Sequence, residues 1–416
     1  MKELVKKDCI ESLQKPGAPI IIVAAVKEAE AIAYACKDFN INVLAFCDSE
    51  KRKSDETFCG LKVIHTPTLP EKYSNARFII ATQQIQDVVE QLSGLGYKEF
   101  YSALELMNKY QLKKHKHMIS QPYMETRLEV YKKSHEVFFD KDKTYMRSVD
   151  VMITTRCSLK CVSCSNLMQY YVDPKNSEHD NTLQALEILN QNVDHISEFR
   201  VIGGEPLMNK GWDKIVEGII NKNPERKVFV YTNGTIAPKD EKLEPFKNNK
   251  SINFVITEYG KLSRNLNKLH DQLNKFGINY SSTLADNWVD CSTIKHHKRT
   301  VAQNTEVFKQ CCVKYLYTLL DGKLYRCPFI ANAAKLNAIP DNPADYVDLF
   351  AKTELVNKQI KRLVRATNFF PGCDFCVGRP YDPSSKLGYD GTGIVKAGVQ
   401  TQKPLPYKIH NQLNSI

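Results

Sequence analysis

Three cysteines, Cys157, Cys161 and Cys164, fall in the run Thr155-Arg-Cys-Ser-Leu-Lys-Cys-Val-Ser-Cys164, spaced C-x3-C-x2-C. Thiolates this close can hold three irons of a cubane [4Fe–4S] cluster, for which cysteine is the usual ligand. The fourth iron then has no local ligand, and an open position suits chemistry rather than plain electron transfer. The surrounding pattern says what must carry such a loop. Ser148–Thr154 is apolar and β-branched and reads as a strand leading into it. A helical stretch over Thr182–Asn192 follows, then a second strand, Ile196–Ile202, ending in Gly203-Gly204-Glu205-Pro206. A third strand, Lys227–Tyr231, ends in Thr232-Asn233-Gly234, and a fourth, Ile252–Thr257, in Glu258-Tyr259. Strands alternating with helices, with polar, glycine-containing strand ends, predict a parallel partial barrel with its site at the strand C-termini.

Cysteine loop, Gly-Gly-Glu-Pro and the third strand end, in this order, resemble the radical S-adenosylmethionine (SAM) superfamily. The resemblance implies a partial (β/α)6 barrel whose open iron chelates SAM through its amino and carboxylate groups. It implies that Gly203, Gly204, Glu205 and Pro206 meet the methionyl ammonium, and that Thr232 and Asn233 contact the ribose or carboxylate. Glycines let a backbone approach closely, and Glu205 can turn an acceptor toward a cation. The activity implied is reductive cleavage of SAM to methionine and a 5′-deoxyadenosyl radical, which takes a hydrogen from an unactivated carbon. Alone, the cysteine spacing could be half of a zinc site and the Gly-Gly-Glu-Pro an ordinary turn; their joint order favours the cluster. In one departure, many members carry an aromatic residue before the third cysteine, packed on adenine, where this chain has Ser163.

A second group of cysteines lies in the C-terminal third: Cys311 and Cys312, then Cys327, then Cys373 and Cys376. Cys312-x9-Gly322-x4-Cys327 resembles the C-x(9–15)-G-x4-C pattern of the SPASM and twitch extensions of radical SAM enzymes. The intervening residues alternate around Asp321-Gly322, a strong hairpin signal. Asp345–Arg365 reads as helical, and Cys373-Asp-Phe-Cys376 closes the site. No cysteine follows Cys376, so four remain for one fully ligated auxiliary [4Fe–4S] cluster of the twitch type: Cys312, Cys327, Cys373 and Cys376. Cys311 also satisfies the spacing, and Cys312 is favoured over it. A four-cysteine zinc site would use the same residues. Cys9, Cys36, Cys47, Cys59 and Cys291 fit no ligand spacing.

The first 115 residues form a separate α/β pattern. Strands over Pro19–Ala25, Ile41–Cys47, Leu61–His65, Arg77–Ala81 and Glu99–Ser102 alternate with helices over Lys27–Phe39 and Gln83–Gly94, which predicts a Rossmann-like domain. It resembles small domains attached to sugar-modifying enzymes, and Asp48 stands where a ribose-binding carboxylate would. The glycine fingerprint is replaced by Ala24-Ala-Val-Lys-Glu-Ala29, so the backbone cannot receive a pyrophosphate closely. The organisation expected is a Rossmann-like domain over 1–115, a helical linker over 116–145 containing the helix Gln121–Phe139, the barrel over 146–300, the auxiliary-cluster domain over 301–380, and a tail over 381–416. That tail is either an arm crossing the barrel mouth or a frayed end.

Thirteen cysteines without an apolar leader point to a reducing, cytoplasmic setting. No stretch approaches a membrane span. The formal net charge of +11 is spread along the chain, apart from the knots Lys113–His117 and Lys295–Arg299, so nucleic acid is not expected. The positive field instead suits an anionic substrate or an acidic reductant such as flavodoxin or ferredoxin. A closed auxiliary cluster suits electron exchange with a substrate radical, as in twitch enzymes that oxidise a carbinol carbon. The expected function is therefore oxidation or epimerisation of a small, carbohydrate-like substrate (sugar, cyclitol or nucleotide-sugar). A peptide-modifying radical SAM maturase and a non-catalytic iron–sulfur or zinc protein are the alternatives. Asn233, Glu258 and Tyr259 are candidates at the barrel mouth, and no catalytic residue is assigned.

Overall fold

The computed structural model describes residues 4–50, 53, 56–140, 142–351, 355–380 and 389–410. They fall into two compact units, Met1–Tyr145 and Met146–Ile416. In the first, strands β1 (Val5–Lys6), β2 (Ile20–Val23), β3 (Val43–Asp48), β4 (Thr57–Phe58), β5 (Leu61–His65), β6 (Arg77–Ile80) and β7 (Glu99–Ser102) form one sheet. Their order is β1-β7-β6-β2-β3-β5-β4, with parallel pairing from β5 through β7. After the short edge strand β1, the chain enters the central strand β2, and the order reverses beside it, as in a Rossmann half. Ile20 and Ile22 enter one core and Ile21 and Val23 the other, which is why β2 is apolar without alternation.

The helix Gln121–Phe139 belongs to this unit and is not a linker. Met124, Leu128 and Tyr131 recur on one helical face and are buried in its core. The Tyr131 hydroxyl donates to the Ile80 carbonyl at 2.8 Å and accepts from the Ala103 N–H at 3.0 Å. At the turn after β2, Ala24 takes a positive φ of 75°. Asp48 accepts from the Ala25 N–H at 2.9 Å and pairs with Lys53 at 3.0 Å. Asp48 is thus committed to the turn where a phosphate would sit, not turned toward a ribose. The basic knot at 113–117 folds back in the same way: His115 stacks on Tyr34 and meets Asp38 at 3.0 Å.

The second unit is built on β8 (Tyr145–Met152), β9 (His195–Ile202), β10 (Lys227–Thr232), β11 (Ile252–Glu258), β12 (Asn279–Leu284), β13 (Asn287–Val289), β14 (Tyr317–Leu320), β15 (Lys323–Tyr325), β16 (Tyr346–Asp348) and β17 (Ile394–Lys396). The main sheet runs β12-β11-β10-β9-β8-β14-β15-β16. Strands β9 to β12 pair in parallel, and β14 pairs in parallel with β8. A six-strand partial barrel results, with its sixth strand supplied by the auxiliary-cysteine region. The β14–β15 hairpin turns at Asp321 (φ 49°) and Gly322 (φ 78°), the two positive φ values a type I′ turn requires. The auxiliary region is therefore stitched into the barrel sheet instead of forming a separate hairpin domain. Over 345–365 only Val356–Arg365 is helical. Tyr346–Asp348 is a strand, and residues 352–354 lie outside the described ones. The tail is docked over 389–410, where β17 pairs antiparallel with β13; residues 381–388 and 411–416 lie outside the description. Among the described residues, no helix is long and apolar enough to cross a membrane.

Candidate functional site

The cysteine loop leaves β8 and is zipped to the end of β9. Gly204 N–H donates to the Thr154 carbonyl at 3.1 Å and Glu205 N–H to the Arg156 carbonyl at 2.8 Å. A Cβ on Gly203 would overlap the Thr154 carbonyl, and one on Gly204 would overlap the Arg156 carbonyl and lie 2.7 Å from the Cys157 Cβ. Both glycines are thus required by the loop itself. Glu205 is fully buried. One carboxylate oxygen accepts from Leu207 N–H (3.1 Å) and the Thr232 hydroxyl (2.9 Å), the other from Asn233 N–H (2.8 Å). Burial pushes this carboxyl up to about 7, while those donors pull it down. Glu205 thereby braces the end of β9 to the end of β10. Pro206 opens the buried 3-10 turn Pro206–Met208 that follows.

Thr232 and Asn233 are brought beside the cysteines. The Asn233 amide nitrogen lies 3.2 Å from Ser158 Oγ and 3.8 Å from Cys157 Sγ. Ser158 also bonds the Thr235 hydroxyl. Sequence reading missed Ser158, inside the loop next to Cys157, and Thr235, which the end of β10 brings to it. Burial pushes the Cys157 thiol up, with Cys164, Glu205 and Cys161 adding to it. Burial likewise pushes Cys161 up to about 11, against an opposing hydrogen bond from Gln400. The Tyr259 phenol is raised by burial, with Cys161, Cys164 and Cys157 adding to it. Its ring meets Trp288 edge-on at 5.7 Å. Glu258 turns away and accepts from Ser282.

In the second group the thiols sort themselves. Burial dominates each one; after it, Cys373 feels Cys327, Cys311 and Cys376, and Cys311 feels Cys327, Cys376 and Cys312. Cys312 instead feels Arg379 and Cys291, and its residue is exposed. Cys311 thus groups electrostatically with Cys327, Cys373 and Cys376, whereas Cys312 groups with Cys291 and Arg379. Cys327 is the N-cap of the helix Pro328–Lys335; burial pushes its thiol up, while Arg379 and the backbone of Ile330 and Phe329 pull it down. The basic knot at 295–299 wraps the C-x2-C turn. Arg299 donates to the Cys376 carbonyl at 2.9 Å and the Cys373 carbonyl at 3.4 Å, and its N–H reaches Asp374 at 3.0 Å.

The docked tail covers the first cysteine loop. Val162 N–H donates to the Val399 carbonyl and Thr401 N–H to the Lys160 carbonyl, both at 2.7 Å. Gln400 accepts from Lys160 N–H at 2.7 Å, which fixes its amide so that the nitrogen faces Cys161 Sγ at 3.3 Å. Among the described residues, no three His, Cys, Asp or Glu side chains converge on the position of one metal ion. A cubane asks for no such point, since each thiolate takes its own iron. Three thiols carried on one short loop, with side-chain N–H groups near Cys157 and Cys161, are a donor set that suits that group.

Residues 151–261 match the family described as the radical SAM superfamily. This stretch is a radical SAM domain. The radical SAM core is 28% identical over 102 residues to GTP 3′,8-cyclase of Nautilia profundicola, covering 24% of this chain and 31% of that protein. It is 28% identical over 111 residues to molybdenum cofactor biosynthesis protein moc-5 of Caenorhabditis elegans, covering 26% and 18%. The matches thus span a third or less of those relatives' length. Among solved structures, BtrN in complex with AdoMet and 2-DOIA is 14% identical with a TM-score of 0.38, covering 63% of this chain and 98% of that one. SuiB of Streptococcus suis is 15% identical with a TM-score of 0.31, covering 53% and 47%. The radical SAM family that this stretch matches uses a [4Fe–4S] cluster and SAM.

Proposed function

We propose that this radical SAM enzyme carries a second, fully ligated [4Fe–4S] cluster and oxidises or epimerises a small, carbohydrate-like substrate. The observation that carries the reading is the quartet Cys311, Cys327, Cys373 and Cys376, on elements built into the barrel sheet that also holds the Cys157, Cys161 and Cys164 loop. Loaded, the first site supplies hydrogen-atom abstraction from an unactivated carbon, and cofactors of this kind leave orientation and exclusion of side reactions to the protein. In that division Gly203 and Gly204 give close backbone approach, Thr232 and Glu205 brace the strand ends, and Asn233 holds the Cys157 side of the loop. Tyr259, beside the three thiols, takes over the aromatic role left open at Ser163. A closed second cluster has no free iron for substrate, so its use is to accept or return one electron. For oxidation of a carbinol carbon the balance is simple. With both sites loaded, the first would take one hydrogen atom from the carbinol carbon, the hydroxyl would lose one proton, and the second would accept the one electron left over.

A Rossmann-like unit at the N-terminal end favours a small substrate over a peptide. A cytoplasmic location and a flavodoxin- or ferredoxin-type reductant fit the same reading. The test is anaerobic iron and sulfide analysis with low-temperature EPR before and after SAM. About eight irons, with one of two signals shifting, is expected. Four irons with zinc in the quartet would remove the electron-acceptor role and with it the oxidation. Cys157→Ala should abolish SAM cleavage. Cys373→Ala should leave SAM cleavage in place and abolish substrate turnover.

A further inference from the structure

Arg379 joins the two cysteine sites. Its backbone belongs to the auxiliary side, three residues beyond Cys376, and its carbonyl accepts from the Cys312 N–H at 2.7 Å. Its side chain crosses to the other loop and donates from Nη2 to the carbonyl of Ser165, next to Cys164. The residue is 6% exposed, and its Nε is buried with no hydrogen-bond partner among the described residues. A guanidinium stays charged at any ordinary pH. Buried without a counter-charge, it costs several kcal/mol. The groups that most favour its charge are not carboxylates. Burial opposes the charge, and the thiols of Cys291, Cys376, Cys327 and Cys311 more than restore it. The same guanidinium acts on Cys164 of the first loop. A cation with thiols on both sides and, among the described residues, no carboxylate ion-pair partner is matched only when those thiols carry negative charge, as iron-bound thiolates do.

We propose that Arg379 is a positioning cation shared by the two cysteine sites, neutralising charge on both loaded clusters and holding both reduction potentials up. The proposal rests on the two-cluster reading above. Net charge around a cluster is one of the factors that set its potential. Each cluster gains a negative charge on reduction, so a nearby fixed cation favours the reduced form. Placing one cation between both ties the two potentials to a single side chain.

The test compares wild type with Arg379→Met, which keeps the length and loses the charge, and Arg379→Lys, which keeps the charge. Two readouts are taken: potentiometric EPR of each cluster signal, and melting of the metal-free and reconstituted proteins. In Arg379→Met both signals should move to more negative potential, and in Arg379→Lys both should stay near wild type. Metal-free Arg379→Met should melt above metal-free wild type, since the unmatched charge is gone, and should gain less on reconstitution. A merely structural role through Ser165 would instead lower the melting of both forms. Unchanged potentials in Arg379→Met, or a shift of the auxiliary signal alone, overturn the proposal. If Arg379→Met fails to retain iron, a fall in its metal-free melting overturns it and a rise supports it. Wild type holding four irons in place of eight would sink the two-cluster reading itself, whatever Arg379 does.

Discussion

Single residues in this chain do work that their neighbours cannot share. His135 is fully buried, with Nδ1 2.8 Å from the Ser102 hydroxyl and Nε2 3.0 Å from the Thr82 carbonyl. Burial holds its imidazole down to about 3, well below the ordinary value near 6.5. The unfolded chain therefore takes up a proton as pH falls through 6.5 while the folded unit does not, so stability is full above that pH and drains away toward 3. Urea unfolding of the Met1–Tyr145 unit should show this loss between pH 7 and 4, and His135→Phe should flatten it; equal slopes would rule the assignment out. At the cluster loop, Gly204→Ala should cost most of the site's iron, read by iron analysis, because the added methyl displaces Arg156 and Cys157. Residue-level legibility in the sequence is uneven. The C-x3-C-x2-C trio and Gly-Gly-Glu-Pro are local, so spacing finds them. The choice between Cys311 and Cys312 is not, because two adjacent thiols satisfy one spacing and only the fold gives them different surroundings. Glu205 could be located but not its bracing, since two of its three donors, Thr232 and Asn233, come from the end of β10.

At the scale of elements, strands buried on both faces were readable because an unbroken β-branched run such as Ile20–Val23 has few other uses. Leu61–His65 and Glu99–Ser102 begin and end where their patterns do. The short edge strand Tyr346–Asp348 was not readable, as three residues carry no period and its structure is lent by β15. The arm over 389–410 hides for the same reason. It is polar, rich in glycine and lysine, and ordered by what it lies on. Thr401→Pro would remove the N–H bonded to Lys160 and disfavour the extended pairing. Air exposure should then bleach the first cluster several-fold faster than in wild type, with the quartet's iron retained. An unchanged bleaching rate would mean the arm gives no cover.

The molecule as a whole divides its labour between two units, and their cysteines follow the division. Cys9, Cys36 and Cys47 are packed thiols in the first unit, pushed up by burial, whereas both facing thiol sets lie in the second. The first unit has its own apolar layers on the two faces of its sheet. Expressed alone, Met1–Tyr145 should unfold cooperatively in denaturant and bind no iron. A broad, non-cooperative melt would show that it depends on the rest of the chain. Its switch-point turn, closed by Asp48 on Ala25, should leave it without measurable affinity for a dinucleotide in calorimetry.

The pairing of the arm with the cysteine loop also sets an order of events at birth. Gln400 is made 239 residues after Cys161. At ribosomal speeds of about 5–20 residues per second, that gap lasts roughly ten seconds to a minute. Throughout it the three thiols stand uncovered on a nascent chain, open to whatever delivers iron and sulfide, and translation itself closes the door behind the cargo.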